Sequence, residues 1–262
     1  MARRTRGIPL RALAPNAMTA MALCSGLSAV RFGIAQDWDR AVLAIFVAAA
    51  LDGLDGRVAR LLKGESRFGA ELDSLSDVIA FGVSPAIVIY LWSLQTLPQV
   101  GWLFALAHAV CCAFRLARFN ANLDVEWQPQ KSAGFLTGVP APAGAALLML
   151  PLYLWQGTGE PILREPFIVA PWAALVAFLM VSSLPTYSWG SLRVRRHIRM
   201  EVLIAVGLLG AALIEATWAT LSVGVVVYIL LMPLSIRSYA RVKQRRAAAA
   251  RPVESPTPAA QS

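Results

Sequence analysis

Between Leu51 and Gly82 the chain reads LDGLDGRVARLLKGESRFGAELDSLSDVIAFG, with four aspartates set in an otherwise apolar neighbourhood. Helical periodicity groups them. At 100° per residue Asp55 falls about 60° from Asp52, Gly56 about 40° and Ala59 about 20°, so two carboxylates and two very small residues share one face. Gly69, Asp73 and Asp77 follow at i, i+4 and i+8 and stack on a single stripe. A short loop makes the two helices antiparallel neighbours. Asp52 lies about 12 Å from the loop end of its helix, and Asp73 and Asp77 start near that same end of the next. All four carboxylates can therefore meet in one cavity. Carboxylates so close repel unless cations neutralise them, and oxygen donors without nearby His or Cys suit Mg²⁺, Mn²⁺ or Ca²⁺ rather than Zn²⁺. Two such ions about 4 Å apart form a common clamp for phosphoryl chemistry. Arg60 is placed at the mouth to hold a phosphate. Glycine in a helix costs about 1 kcal/mol relative to alanine, so Gly56 beside the acids marks a hollow left for a ligand.

The elements that must position these residues are membrane helices. The 262-residue chain is 57% hydrophobic and 15% charged, with a mean hydropathy of +0.59. Soluble domains carry about a quarter charged residues. The apolar residues come in blocks near the roughly 20-residue length of a helical span, without the alternation of barrel strands. The expected fold is all-α, a polytopic transmembrane bundle of about eight spans: 16–35, 39–62, 70–94, 99–121, 137–156, 167–185, 200–216 and 218–236. Six spans plus a hairpin is the alternative, because LIEATWATLS leaves little room for a turn.

With both termini cytoplasmic, the inside segments hold all of the 24 basic residues except Arg31, Arg40 and Arg164. The net charge of +9 thus describes one membrane face rather than a nucleic-acid groove. Residues 1–15 form a cytoplasmic N-terminal segment, 16–236 the catalytic transmembrane domain, and 237–262 a basic, then disordered, cytoplasmic tail. Cys24, Cys111 and Cys112 read as free thiols in apolar helices. His108, alone in an apolar helix, does not read as catalytic.

The series Asp52-x2-Asp55-Gly56-x2-Ala59-Arg60-x8-Gly69-x3-Asp73-x3-Asp77 resembles, position by position, the signature of the CDP-alcohol phosphotransferases. Its flanks, ELDSLSDVIAFGVSPA, FRLARFN and GFLTGVPAPAGAA, resemble the serine-using branch, the membrane-embedded bacterial phosphatidylserine synthases. The phosphatidylglycerophosphate branch usually has lysine after the last aspartate, where this chain has Val78. The resemblance covers roughly the first 150 residues; the C-terminal spans carry little that is diagnostic.

This resemblance implies transfer of a phosphatidyl group from CDP-diacylglycerol to the hydroxyl of L-serine, with release of CMP. It implies two divalent ions, Mg²⁺ or Mn²⁺, on Asp52, Asp55 and Asp73, with Asp77 touching that site and acting as general base. Asn16, Thr19, Asp52, Gly56, Ala59, Arg60 and Gly69 are the implied CDP and diphosphate contacts. PNAMT, from Pro15 to Thr19, looks like the family's nucleotide-contacting turn. Arg115 and Arg118, at i, i+3 near a cytoplasmic helix end, are candidates to grip the serine carboxylate or the lipid phosphate, with Lys131 a weaker third. A homodimer in the inner membrane, with its active site facing the cytoplasm, is the family expectation. Two alternatives stand beside it: the same chemistry on glycerol 3-phosphate, inositol or inositol phosphate, and a cation-coupled transporter using the aspartates as its ion site.

Overall fold

A computed structural model of the chain describes residues 10–64, 66–121, 135–187 and 199–249. Lys131, the first nine residues and the tail from 250 lie outside that range.

Helix α1 (Leu10–Ile34) and helix α2 (Trp38–Leu62) form an antiparallel hairpin. Small side chains let α1 and α2 pack closely against their neighbours: Ala22, Gly26 and Ala29 on α1 are buried, Gly26 against Ala80, as are Ala41, Ala44 and Ala48 on α2. Ser25 Oγ donates to the Ala44 carbonyl at 2.7 Å across the seam. Asp37 caps the start of α2 by accepting from Arg40 N. At the other end Lys63 takes a left-handed conformation, φ 50°, and Gly64 N returns to the Ala59 carbonyl at 2.9 Å, closing the helix just past Arg60.

Helix α3 (Arg67–Asp77) starts at Ser66, whose hydroxyl accepts from Gly69 N at 3.0 Å. It continues through one π-helical stretch, Val78–Val83, into α4 (Ser84–Trp92). Helix α5 (Gly101–Ala121) packs against the π stretch, α4 and helix α8 (Pro166–Val181). Between them lie α6 (Ala141–Leu148) and α7 (Leu150–Thr158), whose axis breaks at Met149 ahead of Pro151. The core is centred on Trp92, Phe81, Ile89, Leu147, Leu148, Leu152 and Met180, all less than 2% exposed. Helix α9 (Arg199–Glu215) and helix α10 (Thr217–Ala249) follow, separated only by Ala216. The expected spans map onto α1, α2, α3–α4, α5, α6–α7, α8, α9 and α10.

Among the described residues four segments are long and apolar enough to cross a bilayer: Leu13–Ile34, Arg67–Trp92, Gly101–Ala121 and Thr217–Val242. Helix α2 has the length, 25 residues, but carries six charged side chains from Asp39 to Arg60. Helix α8 is apolar but short, and α9 has 17 residues.

Two features depart from the expected elements. Residues Phe135–Thr137 (β1) and Pro185–Tyr187 (β2) pair antiparallel, with Leu136 opposite Thr186. Pro140 and Pro185 withhold backbone donors there, and Gly138 at φ 74° turns the chain, its Cα lying so near the Met180 and Ser182 carbonyls that a Cβ would meet them at 2.7 and 2.9 Å. The ribbon is tied down by Thr186 Oγ1 donating to the Gly138 carbonyl and by Ser235 Oγ of α10 donating to Pro185 O, both at 2.8 Å. Second, α10 runs on past 236, so the basic stretch from Arg237 is helical as far as Ala249.

Candidate active site

Asp52 and Asp55 lie in the second half of α2, and Asp73 and Asp77 in α3, and the antiparallel arrangement brings the two pairs together. One carboxylate oxygen each from Asp52, Asp55 and Asp73 lies within 4.8 Å of the other two. Asp77 completes the group from one turn further along α3, side chain to side chain with Asp52. Asp55 is 5% exposed and the other three are half-buried. Among the described residues none of the four forms an ion pair with lysine or arginine. Two unit charges 4.8 Å apart repel by about 3 kcal/mol at an effective dielectric constant of ~20. A cluster of this kind is stable when cations sit in it, and its all-oxygen donor set fits a hard divalent ion such as Mg²⁺ or Mn²⁺.

Asp55 is held from α1. Thr19 Oγ1 donates to Asp55 Oδ2 at 2.7 Å and lies 3.1 Å from the Pro15 carbonyl of the preceding turn. Ser76 Oγ on α3 donates to Thr19 O at 3.2 Å, so one residue of α1 is bonded to both acid-bearing helices. Pro15 lies inside α1, which starts at Leu10. PNAMT is therefore helical and not a turn, and its polar side chains face α2 and α3 from the wall of a helix.

A cavity of about 360 Å³ opens beside the acids, within the size range of ligand pockets. Asn16 and Thr19 line it from α1; Asp55, Gly56, Ala59 and Arg60 from α2; Gly69 and Asp73 from α3. Every residue expected to contact CDP except Asp52 is on that wall. Gly56 has open space where a Cβ would stand, whereas a Cβ at Gly69 would meet Asn16 Oδ1 at 2.8 Å. The two glycines therefore do different work: one leaves volume, the other lets α1 approach α3.

The two arginines separate. Arg115 on α5 lies within electrostatic reach of Asp77 and of Tyr228 on α10, and its buried Nε has no hydrogen-bond partner among the described residues. Arg118 donates from both terminal nitrogens to the last carbonyls of α8, Val181 at 3.1 Å and Ser182 at 3.3 Å. Sequence reasoning did not find Ser66, Ser76 or Tyr228. Ser66 had a readable signal, a serine just before a helix. Tyr228 had none, because it arrives from a helix far along the chain.

The chain matches the family model CDP-alcohol phosphatidyltransferase over residues 12–189. A second model, CDP-alcohol phosphatidyltransferase 2, matches residues 197–233, a region whose sequence had offered nothing diagnostic. It is 38% identical over 236 residues to the CDP-diacylglycerol--serine O-phosphatidyltransferase of Mycobacterium tuberculosis, covering 90% of this chain and 82% of that protein. The proteins of the same name from Helicobacter pylori and Bacillus subtilis are 32% and 34% identical, over 74% and 61% of this chain and 79% and 81% of theirs. With its aspartate signature gathered around one cavity, the chain belongs to the CDP-alcohol phosphatidyltransferase family.

Proposed function

We infer that this chain is a phosphatidylserine synthase, transferring the phosphatidyl group of CDP-diacylglycerol to the hydroxyl of L-serine and releasing CMP. The observation that carries the reading is the meeting of Asp52, Asp55 and Asp73 beside a cavity, in a chain whose relatives over most of its length bear that enzyme's name.

Asp52, Asp55 and Asp73 are the residues that hold two divalent ions, Mg²⁺ or Mn²⁺. Such ions, when bound, neutralise the diphosphate and the departing CMP. Asn16, Thr19, Gly56, Ala59 and Gly69 accommodate the nucleotide, and Arg60 at the cavity edge faces the phosphates. Asp77 takes the proton of the serine hydroxyl, whose oxygen forms a bond to the phosphorus that carries the diacylglycerol oxygen. The bond from that phosphorus to the CMP oxygen breaks as the new one forms. Arg115, with Arg118 and Lys131 as further candidates, receives the serine carboxylate or the lipid phosphate.

The finer architecture belongs to the same proposal: eight spans within a catalytic domain over 16–236, both termini and the cavity on the cytoplasmic side of the cell membrane, and a homodimer. The alternation of basic loops supports the orientation. Lipid tails then stay in the bilayer while the headgroup enters the cavity from the inner leaflet.

The test is CMP release by the purified protein with CDP-diacylglycerol and Mn²⁺, with serine or a competing alcohol added. Serine-dependent release with phosphatidylserine as product is expected. Release driven by glycerol 3-phosphate, inositol or inositol phosphate overturns the acceptor, and no release with any of them points to the transporter reading.

A further inference from the structure

Directly after Asp77 the helix widens into its π stretch, Val78–Val83, with Ser84 N bonded to the Ile79 carbonyl five residues back. The sequence supplies a cause. Pro85 has no N–H to return to the carbonyl of Phe81 four residues earlier, and its ring crowds that carbonyl, so a regular α-turn cannot close there. Isolated π turns inside α-helices frequently occur at functional sites.

The Phe81 carbonyl, which Pro85 cannot serve, has a partner in another helix. His108 of α5 is fully buried, and its Nε2 lies 3.2 Å from Phe81 O. A carbonyl oxygen cannot donate, so the contact is a hydrogen bond only with the proton on Nε2. Nδ1 is then a bare acceptor, and it has no hydrogen-bond partner among the described residues. His108 thus spends its one donor on the π turn and makes no other hydrogen bond among the described residues.

The turn is gripped on both sides. A Cβ at Gly26 of α1 would stand 2.7 Å from Ala80 Cα, and one at Gly82 would stand 3.0 Å from Cys112 Cβ of α5. The turn has little room to rotate, and its rotation decides where α3 points. Asp73 and Asp77 face the cavity cluster before it, while Ala86, Val88, Ile89 and Trp92 are buried in the core after it. A continuous α-helix would present those two sets at a different mutual angle.

We propose that His108 is a positioning residue for the transfer reaction: by donating to the Phe81 carbonyl, which Pro85 has no N–H to serve, it fixes the π turn and thereby the angle at which Asp73 and Asp77 enter the metal and acceptor site. The inference rests on the phosphatidyltransferase reading of that site.

The experiment compares the full-length wild-type enzyme with His108→Leu and His108→Gln in serine-dependent CMP release over a range of CDP-diacylglycerol concentrations. Leucine keeps the volume without the donor; glutamine places an amide N–H where Nε2 stands. His108→Leu is expected to lower kcat on the order of 10–100-fold, the scale of a small misplacement at a reacting centre, with KM for CDP-diacylglycerol within about twofold and most of kcat recovered in His108→Gln. Unchanged kcat in His108→Leu, a loss confined to KM, or a glutamine variant as impaired as leucine overturns the proposal. Should His108→Leu fail to accumulate, His108→Asn, whose amide reaches only as far as Nδ1, takes its place under the same criteria. The wild-type arm separates the two failures. Turnover on another alcohol overturns serine as acceptor and leaves the variants to be compared on that alcohol, and no turnover on any acceptor overturns both readings.

Discussion

Thr19 on α1 donates a 2.7 Å hydrogen bond to Asp55 on α2, and the backbone carbonyl of the same threonine accepts from Ser76 on α3. A single residue of the first helix therefore orients one carboxylate and fixes the helix that bears two others. Asp55 is the most buried of the four, so its orientation depends on this donor more than on water.

Thr19→Val keeps the shape and removes the donor. Loss of a hydrogen bond that orients a metal-binding carboxylate typically costs 10–100-fold in metal affinity or activity. The Mn²⁺ concentration giving half-maximal CMP release is expected to rise by about tenfold or more. An unchanged metal dependence would show that Asp55 needs no orienting partner.

Asp55→Asn and Asp77→Asn are both expected to abolish turnover, for different reasons. Asp55→Asn removes a member of the cluster within 4.8 Å and should lose metal binding with it. Asp77→Asn should still bind Mn²⁺ and CDP-diacylglycerol in calorimetry, because it lacks only the proton acceptor. Loss of metal in Asp77→Asn would contradict its assignment as the base.

The two site glycines give opposite outcomes. The Cβ of Gly56→Leu meets no protein atom within 4 Å, and the change replaces a poor helix former, worth about 1 kcal/mol toward the helix. Its Tm should hold or rise while CDP-diacylglycerol turnover falls, since the side chain occupies the cavity. Gly69→Ala collides with Asn16 Oδ1 at 2.8 Å. Its KM for CDP-diacylglycerol should rise as Asn16 is displaced.

Arg118→Ala removes two bonds to the end of α8 and should cost about 1–3 kcal/mol, read as a lower Tm. Arg115→Gln should leave Tm little changed and raise the KM for serine about tenfold, the scale of one charge-assisted hydrogen bond. A KM effect at Arg118 with none at Arg115 would reverse these roles.

Chelation by EDTA should abolish turnover, with Mg²⁺ or Mn²⁺ restoring it. The repulsion among the acids should make the metal-free protein the less stable form, and saturating ion should raise Tm. A Tm independent of divalent ion would mean that the cluster is neutralised some other way.

The sequence by itself determined the acid site. Helical periodicity is a local property, so the spacing of Asp52, Asp55, Asp73 and Asp77 fixes which face they share, and the short connection through Gly64 makes the two faces meet. The apolar blocks placed the helices for the same reason, a length set by the bilayer. What the tertiary structure decided depends on groups that no local rule connects. Thr19 reaches Asp55 across 36 residues, and Arg118 reaches Ser182 across 64. Pro85 lies within the stretch read as one span, 70–94, and the proximity of its turn to His108 depends on how α5 packs there. Spacing is written along one chain, whereas a hydrogen bond between helices exists only once packing has set the distance.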